Sequence, residues 1–158
     1  MKRVVSVIGP AKCSKRQAEL AEQVGIAIAE RDAVLVCGGR GGVMEAACRG
    51  AATAGGITVG ILPGSDPGQG NRFLTIALPT GLGEARNVLI ASAGDAVIAI
   101  GGAVGTLSEI AFALKAGRRV IGLETWTATA PNESTLEIVN ASSAEEAVDL
   151  ALLENAGG

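Results

Sequence analysis

Apolar positions along this chain fall into two alternating rhythms. Short continuous runs, rich in β-branched residues, occupy 4–8, 33–37, 57–62, 95–100 and 119–123, and shorter ones occupy 74–78 and 136–139. Each is closed by glycine, proline or a polar residue, which reads as a buried strand. Between them, apolar residues recur at helical spacing. Ala18, Ala21, Val24 and Ile28, recurring over 17–28, mark a helix that Ser14 caps and that ends near Arg31 and Asp32. Further helices are predicted over 43–54, 84–93 and 106–116. A final helix contains Ala147, Leu150 and Leu153, capped by Ser142 or Ser143. Strands that are apolar on both faces and alternate with helices specify a parallel sheet covered on two sides. The expected fold is α/β, a Rossmann-like three-layer arrangement with a mostly parallel sheet of about six or seven strands. At 158 residues, with no internal boundary or repeat, residues 1–158 are expected to form a single domain.

Composition narrows what such a domain does. Apolar residues are 48% and charged residues 18%, the balance of a packed globule. Aromatics are only 2% and the net charge is −3, so neither a base-stacking surface nor a basic patch for nucleic acid is expected. There is no histidine, which removes Ser-His and Cys-His nucleophile pairs and the commonest zinc ligand. Cys13, Cys37 and Cys48 lack C-x-x-C spacing and read as buried free thiols, so no metal site is predicted. No apolar run approaches the ~20 residues of a membrane span, and no signal peptide is evident. A cytoplasmic protein without a membrane partner is expected.

The 23 glycines cluster at the predicted ends of strands. Two clusters stand between a strand and a helix, where free backbone N–H groups and the helix dipole attract an anion. The first is Gly38, Gly39, Arg40, Gly41 and Gly42; four glycines in five residues exceed what a tight crossing needs. It is not G-x-G-x-x-G, and no acidic residue stands about twenty positions on to hold a ribose. The second is Gly101, Gly102, Ala103, Val104, Gly105 and Thr106, with Thr106 opening the helix and Glu109 three residues on. That spacing has two readings. Glu109 closes a capping box with Thr106, or it is a carboxylate that holds a sugar hydroxyl or acts as acid/base. Arg86, at the start of the helix over 84–93, opposes the helix dipole. It is either an anion ligand, or solvated, or paired with Glu84 or another carboxylate. The aperiodic stretch 63–72 is long for a connection in a compact domain and is expected to cover a site.

The ordered set GGRGGVMEAACRGA from Gly38, GILPG, PTGLGEARN and GGAVGTLSE resembles the LOG-type, "possible lysine decarboxylase" superfamily, and within it the small branch that includes molybdenum cofactor carrier proteins. In the superfamily's phosphoribohydrolases, P-G-G-x-G-T-x-x-E binds the nucleotide phosphate and supplies a catalytic Glu. Gly101, Gly102, Ala103, Val104, Gly105, Thr106 and Glu109 match it, with Gly101 in place of the Pro and Ala103 in place of a Gly. An E-R-K segment matches Ala85, Arg86 and Asn87, so the Arg is kept and the Lys is absent. The resemblance implies binding of a phosphate-bearing small molecule, either molybdenum cofactor or a nucleoside monophosphate, in the manner of a carrier. The alternative it implies is hydrolysis of the N-glycosidic bond of a nucleoside 5′-monophosphate by Arg86 and Glu109. It also implies a homodimer or higher homo-oligomer, packed through the helices after Gly83 and Gly105. No resident cofactor is required. Decarboxylation has no support, because none of the four lysines, Lys2, Lys12, Lys15 and Lys115, stands beside a phosphate turn where a Schiff base would need it.

Overall fold

The seven apolar runs pair side by side as one parallel sheet. The computed structural model describes residues 1–154, so the last four residues of the expected 1–158 unit lie outside the described residues. The strands are β1 (Val4–Ile8), β2 (Val34–Cys37), β3 (Ile57–Leu62), β4 (Ile76–Pro79), β5 (Ala96–Ile100), β6 (Arg119–Leu123) and β7 (Ile138–Asn140). Their order is β4-β3-β2-β1-β5-β6-β7, parallel throughout. The helices are α1 (Lys15–Glu30), α2 (Val43–Thr53), α3 (Asn87–Ala93), α4 (Val104–Lys115) and α5 (Ala144–Leu152). This is the Rossmann-like α/β architecture that the alternating pattern predicts.

The two-residue period of each strand divides the core into two layers. Val5, Val7, Leu35, Cys37, Ile98 and Ile100 face α1, α2 and α5. Ile8, Val36, Val97, Ala99 and Val120 face α3 and α4, packing on Ile90, Ala91, Ile110 and Ala113. The second layer has only two helices to cover it, and one of them is two turns long. Leu82, Val88, Leu89, Val104 and Phe112 are left exposed on that side. No helix among the described residues is long and apolar enough to cross a membrane.

Helix α1 starts as its sequence dictates. The Ser14 hydroxyl accepts from the Gln17 N–H and the Gln17 side chain accepts from the Ser14 N–H, each at 3.1 Å, a reciprocal capping box. Ser143 caps α5 in the same way, accepting from the Glu146 N–H. Elsewhere the boundaries shift for identifiable reasons. The chain over 74–78 is a strand only from Ile76, because Phe73 and Leu74 turn inward onto the α1–α2 layer and the Thr58 hydroxyl takes the Phe73 carbonyl. Leu136 is not in a strand; its N–H pairs with the Ala128 carbonyl across a side loop. The helix predicted over 84–93 opens as a 3-10 turn, Gly83–Arg86, before α3. Asp95 lies just outside β5 and serves it as a clamp: its carboxylate accepts from the Val4 N–H (2.9 Å) and from Arg3 Nε (3.1 Å). The Val4 amide first, with Arg3 assisting, holds that carboxyl below the usual range.

The chain leaves β1 toward β2 on one side, and β5 sits on the other. Strand order reverses at β1, and in open parallel sheets a crevice forms outside the carboxyl ends of the strands at such a point. The two glycine turns, after β2 and β5, therefore flank the tip of β1 and do not sit on adjacent strands. Two strand spacings separate them, roughly 10 Å, and the loop Gly9-Pro10-Ala11 fills the middle.

Candidate functional site

A cavity of about 150 Å³ opens at that reversal point. Its floor is the end of β1 with Gly9, Pro10 and Ala11. Gly38 and Met44 close one side, Ala103, Gly105, Thr106 and Glu109 the other, and Arg86 with Asn87 form the roof. Of the residues singled out in the sequence, Gly38, Arg86, Ala103, Gly105, Thr106 and Glu109 thus come together around one space.

The turn after β5 faces this space through the start of α4. The helix begins at Val104, two residues earlier than predicted, with Ala103 as its N-cap and no side chain capping it. The first-turn amides of Val104, Gly105 and Thr106 have no preceding helical carbonyl to bond. No hydrogen bond among the described residues uses them. Thr106 is 1% exposed, and its hydroxyl is buried with no partner. A capping box between Thr106 and Glu109 is thereby excluded, since Thr106 lies inside the helix and Glu109 is in its second turn. The other members of the turn hold its shape. The Gly101 N–H donates to the Leu123 carbonyl, and the Gly101 carbonyl accepts from the Thr125 hydroxyl at 2.6 Å. The Ala103 carbonyl accepts from Trp126 Nε1 at 3.0 Å. Gly102 sits against the Trp126 ring, and Val104 points outward, 78% exposed.

The turn after β2 is largely occupied by protein. The carbonyls of Gly39 and Arg40 accept from the Asn71 backbone N–H (2.8 Å) and side-chain amide (3.0 Å), strapping the 63–72 loop to the turn. Gly42 caps α2 at φ 63, and a Cβ there would stand 2.3 Å from the Pro10 carbonyl oxygen. The first amide of α2, Val43 N–H, already donates to that carbonyl at 3.1 Å. Gly38 alone of this turn reaches the cavity. A Cβ at Gly38 would lie 2.9 Å from Arg86 Nη2 and 2.7 Å from the Met44 sulfur, so only glycine leaves the guanidinium its place. Arg40 lines an adjoining cavity, and Gly39, Gly41 and Gly42 line neither.

Arg86 and Glu109 give the site its charge. Arg86 is half-buried, Nη1 donates to the Asn87 side-chain oxygen, and Nε is buried with no partner. It forms no ion pair with Glu84 or any other carboxylate among the described residues. Burial holds its guanidinium below the ordinary value, opposed by the field of Glu109. It nonetheless stays charged, as Arg does in proteins. Glu109 is 8% exposed, and burial pushes its carboxyl up to about 7 against the pull of Arg86. A carboxyl that titrates near neutrality and an unpaired guanidinium share a space that neither fills. Cys37 and Cys48 are buried free thiols with sulfurs 3.5 Å apart, while Cys13 is half-buried. The contact with Cys48, and then burial, raise the Cys37 thiol well above its ordinary value, so it adds no negative charge beneath Gly38.

Pro10, Ala11, Met44, Asn87 and Trp126 were not legible as site residues. Pro10 follows a strand without a glycine cluster, Met44 reads as an ordinary helix position, Asn87 stands out only as the position where the superfamily has a Lys, and Trp126 lies in an aperiodic stretch.

The model of the SLOG cluster4 family matches residues 2–149. An uncharacterized protein of Archaeoglobus fulgidus is 47% identical over 120 residues, covering 76% of this chain and 79% of that protein. The molybdenum cofactor binding protein of Rippkaea orientalis superimposes with a TM-score of 0.85 at 37% identity, over 95% of each chain. The molybdenum cofactor carrier protein of Chlamydomonas reinhardtii does so with a TM-score of 0.83 at 33% identity, over 95% of this chain and 96% of its own.

Proposed function

Because this chain belongs to the SLOG cluster4 family, we propose that it is a carrier-like protein whose single domain binds a phosphate-bearing small molecule, molybdenum cofactor or a nucleotide. The phosphate lies in the 150 Å³ cavity at the reversal point. The amides of Gly105 and Thr106 and the Thr106 hydroxyl donate to it from α4, and Arg86 donates from the roof. The observation that carries this reading is that two residues lining the same cavity, Thr106 and Arg86, each hold a buried polar atom without a partner, Thr106 Oγ1 and Arg86 Nε. Buried polar groups are rarely left unmet, and an anion in this cavity would offer acceptors to both residues. The molybdenum cofactor carriers among the structural relatives support the carrier assignment.

Glu109 favours a second reading, a phosphoribohydrolase. A carboxyl near 7 both donates and accepts protons at neutral pH. In that reading the phosphate sits on α4 and the sugar beside Glu109, which would stabilise charge developing on the ribose or activate water. The protein works in the cytoplasm in either case. It assembles through the α3–α4 side, where Leu82, Val88, Leu89, Val104 and Phe112 lie exposed.

One experiment separates the two readings. Purified protein is titrated with inorganic phosphate and with nucleoside 5′-monophosphates by calorimetry, and the mixtures are assayed for free base and ribose 5-phosphate. Binding that Arg86→Met weakens tenfold or more (, about 1.4 kcal/mol), with no base released, supports the carrier. Base release that vanishes in Glu109→Gln supports the hydrolase. Absence of any phosphate-sensitive binding refutes both.

A further inference from the structure

A second cavity, of about 260 Å³, opens beside the first and shares Ala11, Met44, Arg86 and Asn87 with it. Its remaining walls are Arg40, Pro63 and Glu84. The inner cavity, at about 150 Å³, is of the size that admits one benzene-sized group. It takes a phosphate but not the whole of a nucleotide or of any phosphate ester carrying fused rings. The outer cavity, continuous with it along Arg86 and Met44, has room for the rest of such a ligand.

The outer cavity offers a defined chemistry. Met44 and Pro63 are apolar walls suited to the faces of a planar ring. Glu84 is its one carboxylate and Arg40 its second guanidinium beside Arg86. Neither the Glu84 nor the Arg40 side chain has a hydrogen-bond or ion-pair partner among the described residues. An ionised carboxylate only accepts, and its two coplanar oxygens match two parallel N–H donors. A ring N–H beside an exocyclic amine presents that pair, and guanine and pterin rings carry it. Hypoxanthine offers the ring N–H without the amine. Adenine sets a ring acceptor next to its amine, which a carboxylate repels. Arg40, planar and charged, stacks on the face of such a ring.

Resting on the phosphate reading above, we propose that the outer cavity is a heterocycle subsite in which Glu84 reads the adjacent ring N–H and exocyclic amine of a guanine- or pterin-type phosphate ester.

The test titrates the full chain with GMP, IMP, AMP and inorganic phosphate, then repeats the nucleotides with Glu84→Ala and Glu84→Gln. Circular dichroism checks that both variants fold; Glu84 is exposed. GMP is expected to bind about tenfold or more tighter than IMP or AMP, the usual value of a bidentate pair. In both variants the preference is expected to fall to within about twofold. A phosphorylated 6-hydroxymethylpterin, which carries the same edge, forms a second arm. Tighter binding than GMP assigns the subsite to pterins, and weaker binding assigns it to guanine nucleotides. Equal binding of GMP, IMP and AMP overturns the subsite, as does a preference that survives in Glu84→Ala. If inorganic phosphate still binds and Arg86→Met still weakens it tenfold or more, that failure belongs to the subsite alone. If inorganic phosphate does not bind, the phosphate reading fails and takes the subsite with it.

Discussion

Glu109 makes the site's electrostatics measurable without any ligand. Its carboxyl titrates near 7 in the folded protein, against an ordinary value of 4.5. Between those two values the folded state keeps a proton that the unfolded state has released. Folding therefore binds more protons, and stability falls as pH rises through this window. Below about pH 4.5 both states are protonated and the group costs nothing. Above about 7 both are ionised, and the folded state bears the full cost of a buried carboxylate. A displacement of about 2.5 pH units at 1.36 kcal/mol each is about 3 kcal/mol. Glu109→Gln keeps the shape and removes the charge. In ligand-free protein it is expected to match the wild type near pH 4.5 and to exceed it by about 3 kcal/mol at pH 8. At this chain length that is a gain of roughly 6–12 °C in melting temperature. Thermal melts of both proteins between pH 4.5 and 8.5, in a buffer free of phosphate and sulfate, measure it directly. Two proteins with the same dependence on pH, or a Gln variant that is less stable at pH 8, would refute the claim that burial dominates at Glu109.

Other perturbations probe the parts around it. Gly38→Ala puts a methyl where the Arg86 guanidinium rests. Phosphate affinity is expected to drop about tenfold while the melting temperature changes little, because the long Arg86 side chain moves aside; calorimetry and a thermal melt together check this. Trp126→Phe removes one of the two donors to the Ala103 carbonyl at the N-cap of α4, leaving the Leu107 N–H. The expected cost is about 1 kcal/mol by urea unfolding, together with weaker phosphate binding. Trp126 is the one tryptophan in the chain, so its fluorescence is expected to respond when phosphate binds. Phe112→Asp charges the exposed face of α4 and is expected to turn the proposed oligomer into a monomer in sedimentation velocity runs; a wild type that is already monomeric would remove the α3–α4 interface.

The fold could be read from local pattern almost completely. Val4–Ile8, Ile57–Leu62 and Arg119–Leu123 are strands at the predicted bounds because continuous β-branched runs are stable only when both faces are covered. Ser14 and Ser143 announced their helices because a cap is a contact between residues three apart. The marking of Arg86 and of the strand-to-helix turns after β2 and β5 was local in the same sense. What sequence could not carry was strand order. It marked two glycine turns but not that β1 lies between them, with the Pro10 carbonyl just beyond β1 occupying the first amide of α2. The partners of Glu109 also escaped it. The residue's three-position spacing from Thr106 is that of a capping box, and only the packing of α4, begun at Val104, turns Thr106 and Glu109 into the same cavity as Arg86. Period and capping are set by residues within a turn or two of each other. Which strand tips meet, which amides are already bonded and which carboxyl is stripped of water are set by contacts across the whole chain, and those exist only once the sheet has formed.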